Sequence, residues 1–180
     1  MKKTVLFVAL LVASGYVFAQ KKTTTSAIIG FDATTSLDAL PKAENKTVIA
    51  SLDTKTGKLA FEASVKGFNF ENPKMQEHFN GKGWMDSEQY PTASFTGSII
   101  NLAKVNFTKD GTYNVEVAGY LTMHGVKQPV ESRAVITVKG AAINASSKFN
   151  IKLSDYSING GAVAAGKVSK EPVINVTAVF

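Results

Sequence analysis

The chain has 180 residues, 20 basic against 14 acidic, and a formal charge of +6. It contains no cysteine and a single arginine, Arg133. Disulfides, thiol catalysis, a cysteine-ligated metal and a cysteine-linked lipid are therefore excluded, and the scarcity of guanidinium forks argues against a nucleic-acid partner.

At the N-terminus Lys2 and Lys3 precede an apolar run over 5–12, and Val17-Phe18-Ala19 stands before Gln20. This is the pattern of a signal peptide over 1–19, cleaved after Ala19. The run is shorter than the roughly 20 apolar residues that span a bilayer. The remainder, 20–180, suffices for one domain with its own core, expected in the periplasm or secreted. Lys21-Lys22 then reads as a flexible soluble tail, with transient contact to an anionic membrane surface as the alternative.

From there, period-2 alternation recurs almost to the end of the chain. A first strand is expected over 28–32. Val48, Ala50 and Leu52 then oppose Thr47, Ile49 and Ser51, and Leu59, Phe61, Ala63 and Val65 oppose Lys58, Ala60, Glu62 and Ser64. Between these two strands Lys55-Thr56-Gly57 supplies a hairpin reversal.

One segment breaks the pattern. Asn72 can cap a helix, Pro73 suits its first position, Met75 and Phe79 share a face, and Gly81 can end it after about two turns. Met75 and Phe79 either staple this helix to the sheet or make it a lid over a cavity mouth. Trp84, Met85 and Tyr90-Pro91 follow, an aromatic connection able to plug one barrel end.

Alternation resumes with Phe95, Gly97 and Ile99, and Lys109-Asp110-Gly111 places a second reversal. Next comes the most distinctive pair. Tyr113, Val115, Val117, Gly119, Leu121 and Met123 share one face, His124-Gly125 provides a turn tolerant of positive φ, and Val130, Ser132, Ala134, Ile136 and Val138 share the face of the returning strand. Phe149, Ile151 and Leu153 mark a further strand, 160–166 reads as a Gly/Ala-rich loop, and Ile174, Val176, Ala178 and Phe180 mark the last strand. Eight mostly antiparallel strands are the number that closes a small barrel able to hold one ligand. The fold class expected is all-β, an antiparallel eight-stranded barrel with one short helix.

Four stretches carry a family likeness: Met75-Gln76-Glu77-His78-Phe79-Asn80, Met85-Asp86-Ser87-Glu88-Gln89-Tyr90-Pro91 running into Phe95, the hairpin over 119–130, and 149–158 with Asp155-Tyr156. Together they resemble the YceI-like proteins, most specifically in the Tyr-Pro-x-x-x-Phe strand entry and the Gly-x-Leu-Thr-x-His-Gly-Val hairpin. The resemblance implies a lipocalin-like barrel over 20–180, exported to the periplasm, that holds a polyisoprenoid lipid or isoprenoid quinone in an apolar interior. It implies neither catalysis nor a cofactor.

Joined to the inward apolar faces, the resemblance nominates Phe61, Phe95, Val117, Leu121, Phe149 and Ile151 as walls of a ligand site. Phe68, Phe70, Met75, Phe79 and Trp84 are nominated for its mouth and helical flap. The same side chains would serve a filled core, and the alternative function is an envelope structural or interaction protein with no ligand. Small inward residues, Ala63, Gly97, Gly119 and Ala134, favour a slot.

No catalytic or metal site is expected. The two histidines, His78 and His124, stand in neither a nucleophile-elbow pattern nor a short metal-ligand spacing. Lys127-Gln128-Pro129 reads as a solvated strand end, with a basic rim for an anionic head group as the alternative. Asn-x-Ser/Thr triplets begin at Asn45, Asn106, Asn144 and Asn175. Outward Ile49, Val135 and Val179 are isolated, so the choice between monomer and homodimer stays open.

Overall fold

The computed structural model describes residues 21–180, so the expected signal peptide lies outside the described residues. Its strands are β1 (Lys21–Asp32), β2 (Lys42–Asp53), β3 (Lys58–Ser64), β4 (Asn69–Phe70), β5 (Thr92–Ile99), β6 (Gly111–Met123), β7 (Val126–Lys139), β8 (Ala142–Asn150) and β9 (Val173–Val179). All pairings are antiparallel, in the order β1-β9-β8-β7-β6-β5-β3-β2, and β1 pairs again with β2 to close the ring. The eight-stranded antiparallel barrel expected from alternation is thus present. The two-residue β4 is an addition that pairs with β2 at Ala43 and Glu44.

Three expectations are corrected. Lys21 and Lys22 are not a tail: they pair with Asp53 and Leu52 on β2, and the Lys22 ammonium donates to the Ala141 carbonyl at 3.0 Å. The strand expected from Phe149 onward runs instead over β8 and ends at Asn150, beyond which Ile151 and Leu153 bond to Pro172 and Lys170 and a 3-10 turn begins. Gly111 opens β6 and makes no reversal. That turn is spread over 100–110, where a 3-10 turn at Leu102–Lys104 folds Leu102 back under Gly57.

The β1–β2 ladder has two register shifts, between Thr24 and Ala27 and between Ala27 and Ile29, and a buried amide sits at the second. Ala27 pairs with Val48 but Ile29 with Asn45, so β2 carries an extra residue there. Asn45 is fully buried; its Oδ1 accepts from the Thr47 N–H and hydroxyl, and its Nδ2 donates to the Ser64 carbonyl at 2.9 Å. Burial satisfied in this way closes the Asn45 triplet to glycosylation of the folded chain.

The helix expected after Asn72 is α1 (Pro73–Asn80), with the Asn72 side chain accepting from the Lys74 N–H at 2.9 Å. Gly81 ends it by donating to the Glu77 and His78 carbonyls, with an ordinary negative φ. The Gly/Ala-rich 160–166 segment contains a second, four-residue helix, α2 (Gly161–Ala164).

The buried residues form two clusters. One lies at the α1 end and includes Phe31, Phe68, Phe79, Met85, Tyr156 and Ile158. The other lies at the opposite end around Leu52, Ile99, Val115, Ile136, Val138 and Ile143, with Leu102, Val105 and Phe107 packed against it.

Candidate functional site

Between the two clusters lies a cavity of about 140 Å³, lined from all eight barrel strands and from the α1 cap. No lining residue is charged, and the only polar ones are Ser94, Ser132, Ser146 and Ser147. Strand register builds the wall. Phe61 on β3 faces Phe95 on β5, which faces Leu121 on β6, and across the barrel Phe149 on β8 faces Ile174 on β9. These five side chains are only half-buried, although all point inward, because space remains beside them.

Gly97 and Gly119 make part of that space. They face each other in register, and the tip of the Phe95 ring lies 2.6–2.7 Å from where a Cβ of either would sit. Without side chains there, the ring lies down across the strands and leaves the bore open.

The cap is an aromatic cluster centred on Phe79, whose ring sits 5.0–6.3 Å from those of Phe31, Phe68, Phe70 and Trp84. Of the nominated residues, Phe61, Phe68, Phe79, Trp84, Phe95, Val117, Leu121, Phe149 and Ile151 all line the cavity. Phe70 and Met75 do not. Phe70 is held behind Phe79 by the short β4 pairing and by its N–H bond to the Gln76 side chain, and Met75 is half-buried on α1 outside the lining. Sequence reasoning left out Ile29, Phe31, Met85, Met123, Val130, Ile174 and Val176, which also line it. Most of these sit on the same alternating faces as the nominated walls, and that periodicity was the signal available for them.

Neither histidine reaches the cavity. His78 is exposed on α1. His124 and Gly125 form the two-residue turn of the β6–β7 hairpin, at φ +52° and +73°. The His124 Nδ1–H donates to the Tyr156 carbonyl at 2.9 Å and the ring meets Tyr90 edge-on at 4.9 Å, so this residue ties the hairpin to the segment after β8. Lys127 lies over the outward Tyr120 ring, as a solvated strand end does.

Tyr156 is buried, and burial, aided by the Asp155 carboxylate, pushes its phenol up to about 12 from 10.0. The folded chain therefore holds a proton that the unfolded chain releases from about pH 10 upward. Stability is expected to fall as pH rises from about 10 to about 12. Thermal denaturation across that range checks it, with Tyr156→Phe giving a shallower loss than the parent.

A family model of the YceI-like domain matches residues 14–180. The chain belongs to the YceI-like family. A UPF0312 protein of Pseudomonas savastanoi is 27% identical over 114 residues, 59% of this chain and 55% of that protein. Another, from Pseudomonas putida strain F1, is 31% identical over 118 residues, 61% of this chain and 57% of its own length. This YceI-like chain thus spans little more than half the length of these curated relatives. Two solved structures share the fold. A polyisoprenoid binding domain from Saccharophagus degradans, implicated in plant cell wall breakdown, has a TM-score of 0.74 at 15% identity, covering 89% of this chain and 97% of that one. BcnA of Burkholderia cenocepacia has a TM-score of 0.71 at 19% identity, covering 86% and 96%.

Proposed function

We propose that this YceI-like barrel sequesters or carries an elongated apolar ligand of the isoprenoid class, a polyisoprenoid lipid or isoprenoid quinone, and performs no chemistry on it. The observation that carries this reading is the uncharged cavity running between the two core clusters, which a filled-core structural protein would not keep. Its lining offers no ionisable side chain to act as nucleophile, acid or base. The Saccharophagus degradans domain, named for polyisoprenoid binding, supports the ligand class by likeness of fold.

Size sets a condition on binding. A volume near 140 Å³ suits a benzene-sized guest, whereas pockets for larger ligands run to roughly 300–1,000 Å³. A prenyl chain must therefore swing the half-buried Phe61, Phe95 and Phe149 rings aside or lift the α1 cap. The gain is the burial of its methyl and methylene surface, about 25 cal/mol per Å².

The chain is proposed to act after export, with its mature form starting at Gln20, and to load by transient contact with a membrane surface. Mass spectrometry of an organic extract of the purified protein, with titration of prenols of increasing length, tests the carrier reading. Recovery of an isoprenoid, or saturable prenol binding, is the expected outcome. No lipid in the extract together with no prenol binding would sink it. N-terminal sequencing of protein from the envelope fraction tests the export step, with Gln20 expected first.

A further inference from the structure

The β7–β8 ladder stops short. Its pairs run from Lys139 with Ala142 to Ala134 with Ser147, yet β7 continues down to Val126 and β8 up to Asn150. The remaining halves pair only with β6 and β9. Arg133 and Lys148 are therefore the first residues past the last rung, one on each side of a seam in the barrel wall.

Side chains close that seam in place of backbone. Ser147 Oγ donates to the Arg133 carbonyl at 2.9 Å, which uses its one proton. The 3.0 Å contact between Ser132 Oγ and Ser147 Oγ is then donated by Ser132. Two hydroxyl bonds, one exposed and one part-buried, part more easily than a continued ladder. Directly inside, Val130, Ser132, Ser147 and Phe149 line the apolar cavity.

Directly outside is a second concavity, of about 670 Å³, across β6, β7, β8 and β9. It shares Ala134, Ser146, Ser147 and Val176 with the inner cavity, so one thickness of strand separates them. Its lining includes Lys104, Arg133 and Lys148 against a single carboxylate, Glu116. Among the described residues, none of these three cations has an ion pair within 4.0 Å or a side-chain hydrogen bond. Register explains their convergence: Glu116 faces Arg133, and Lys148 faces Asn175. The chain's only arginine thus stands where a charged groove adjoins the uncharged slot.

We infer that the ligand is an amphiphile whose prenyl chain enters the barrel through the β7–β8 seam while a phosphate- or pyrophosphate-type head stays outside, held by Arg133, Lys148 and Lys104. This rests on the carrier reading above and gives it a head-group class and a door. Arg133 supplies the planar fork that meets two phosphate oxygens at once, and the lysines add point charges. A neutral head would leave the three cations with only the Glu116 carboxylate among them.

The test compares a prenyl phosphate, the prenyl alcohol of equal chain length and inorganic phosphate by calorimetric titration of the full protein. The phosphate ester is expected to bind at least about tenfold more tightly than the alcohol at low salt, the preference shrinking as salt screens the groove. In R133A/K148A the preference should vanish while alcohol affinity, which reports an intact barrel, is unchanged. Equal affinity for ester and alcohol in the parent, or a preference surviving the double substitution, overturns the head-group site alone. Binding of inorganic phosphate with no preference for the ester also overturns it, marking a free-anion groove. Binding of neither prenyl compound overturns the carrier reading and this one with it. For the door, S132C/S147C in a chain without other cysteines can be locked by oxidation. Prenyl-phosphate uptake should slow at least about tenfold when oxidised and recover on reduction; unchanged uptake in the oxidised form overturns seam entry.

Discussion

Replacing Phe79 by alanine is expected to destabilise the barrel by about 3–5 kcal/mol, the usual cost of removing a buried phenyl ring. Phe79 is 6% exposed and is the only buried residue of α1, so the helix's main apolar anchorage runs through it. An eight-residue helix has too few turns to persist by itself. Four other rings meet the Phe79 ring, from β1, from the segment after β3, from β4 and from the 81–91 connection. Losing it therefore loosens the cap as a unit. Urea denaturation should show a lower midpoint with little change in slope, and hydrogen exchange should rise first over 68–90. Met75→Ala is the control. That side chain is half-buried and off the cavity, and its loss should cost no more than about 1 kcal/mol. Equal stabilities for Phe79→Ala and Met75→Ala would mean that α1 is not held through the aromatic cluster.

The same cap shows how far alternation carries. β2, β3, β5, β6, β7 and β9 are legible because apolar residues fall on one face of each, and a one-residue slip would turn that face to water. The first halves of β1 and β8 are not. Thr23-Thr24-Thr25-Ser26 and Asn144-Ala145-Ser146-Ser147 place small or polar residues on both faces, so their pairing is imposed by β2 and β7 rather than by burial. Five of the nominated wall residues, Phe61, Phe95, Val117, Leu121 and Phe149, lie on the period-two faces of β3, β5, β6 and β8, and Ile151 follows the end of β8. Phe70 and Met75 were nominated by their apolar character, which does not say whether a side chain meets the bore or the back of another ring. The groove at Arg133 was out of reach for a different reason. Its members come from separate strands and the 100–110 connection, and only the pairing of β6 through β9 sets them side by side.

Gly119→Ala is expected to be the most damaging single methyl group that can be added to the wall. Neither Gly97 nor Gly119 has a positive φ, so the demand at this pair is for room, not for an unusual backbone. A Cβ at Gly119 would lie 2.6 Å from the Gly97 Cα, 2.7 Å from the Phe95 Cζ and against the Thr96 carbonyl. At Gly97 the same atom would meet the Gly119 Cα at 2.8 Å, the Phe95 Cζ at 2.6 Å and the Ala118 carbonyl. Phe95 can yield by rotating, but the strand backbone cannot. Overpacking usually costs about 1–3 kcal/mol, and contact with backbone places this case at the upper end. Rotation of Phe95 also sends its ring into a bore of only about 140 Å³, so prenol affinity should drop together with stability. A double-mutant cycle with Phe95→Leu separates the two effects. The smaller side chain should restore most of the binding, because the bore is clear again, but only part of the stability, because the strand-to-strand contact persists. Full recovery of both would reduce the pair to a seat for one ring. No recovery of binding would mean that β5 and β6 themselves had moved apart, and with them the wall on which the slot depends.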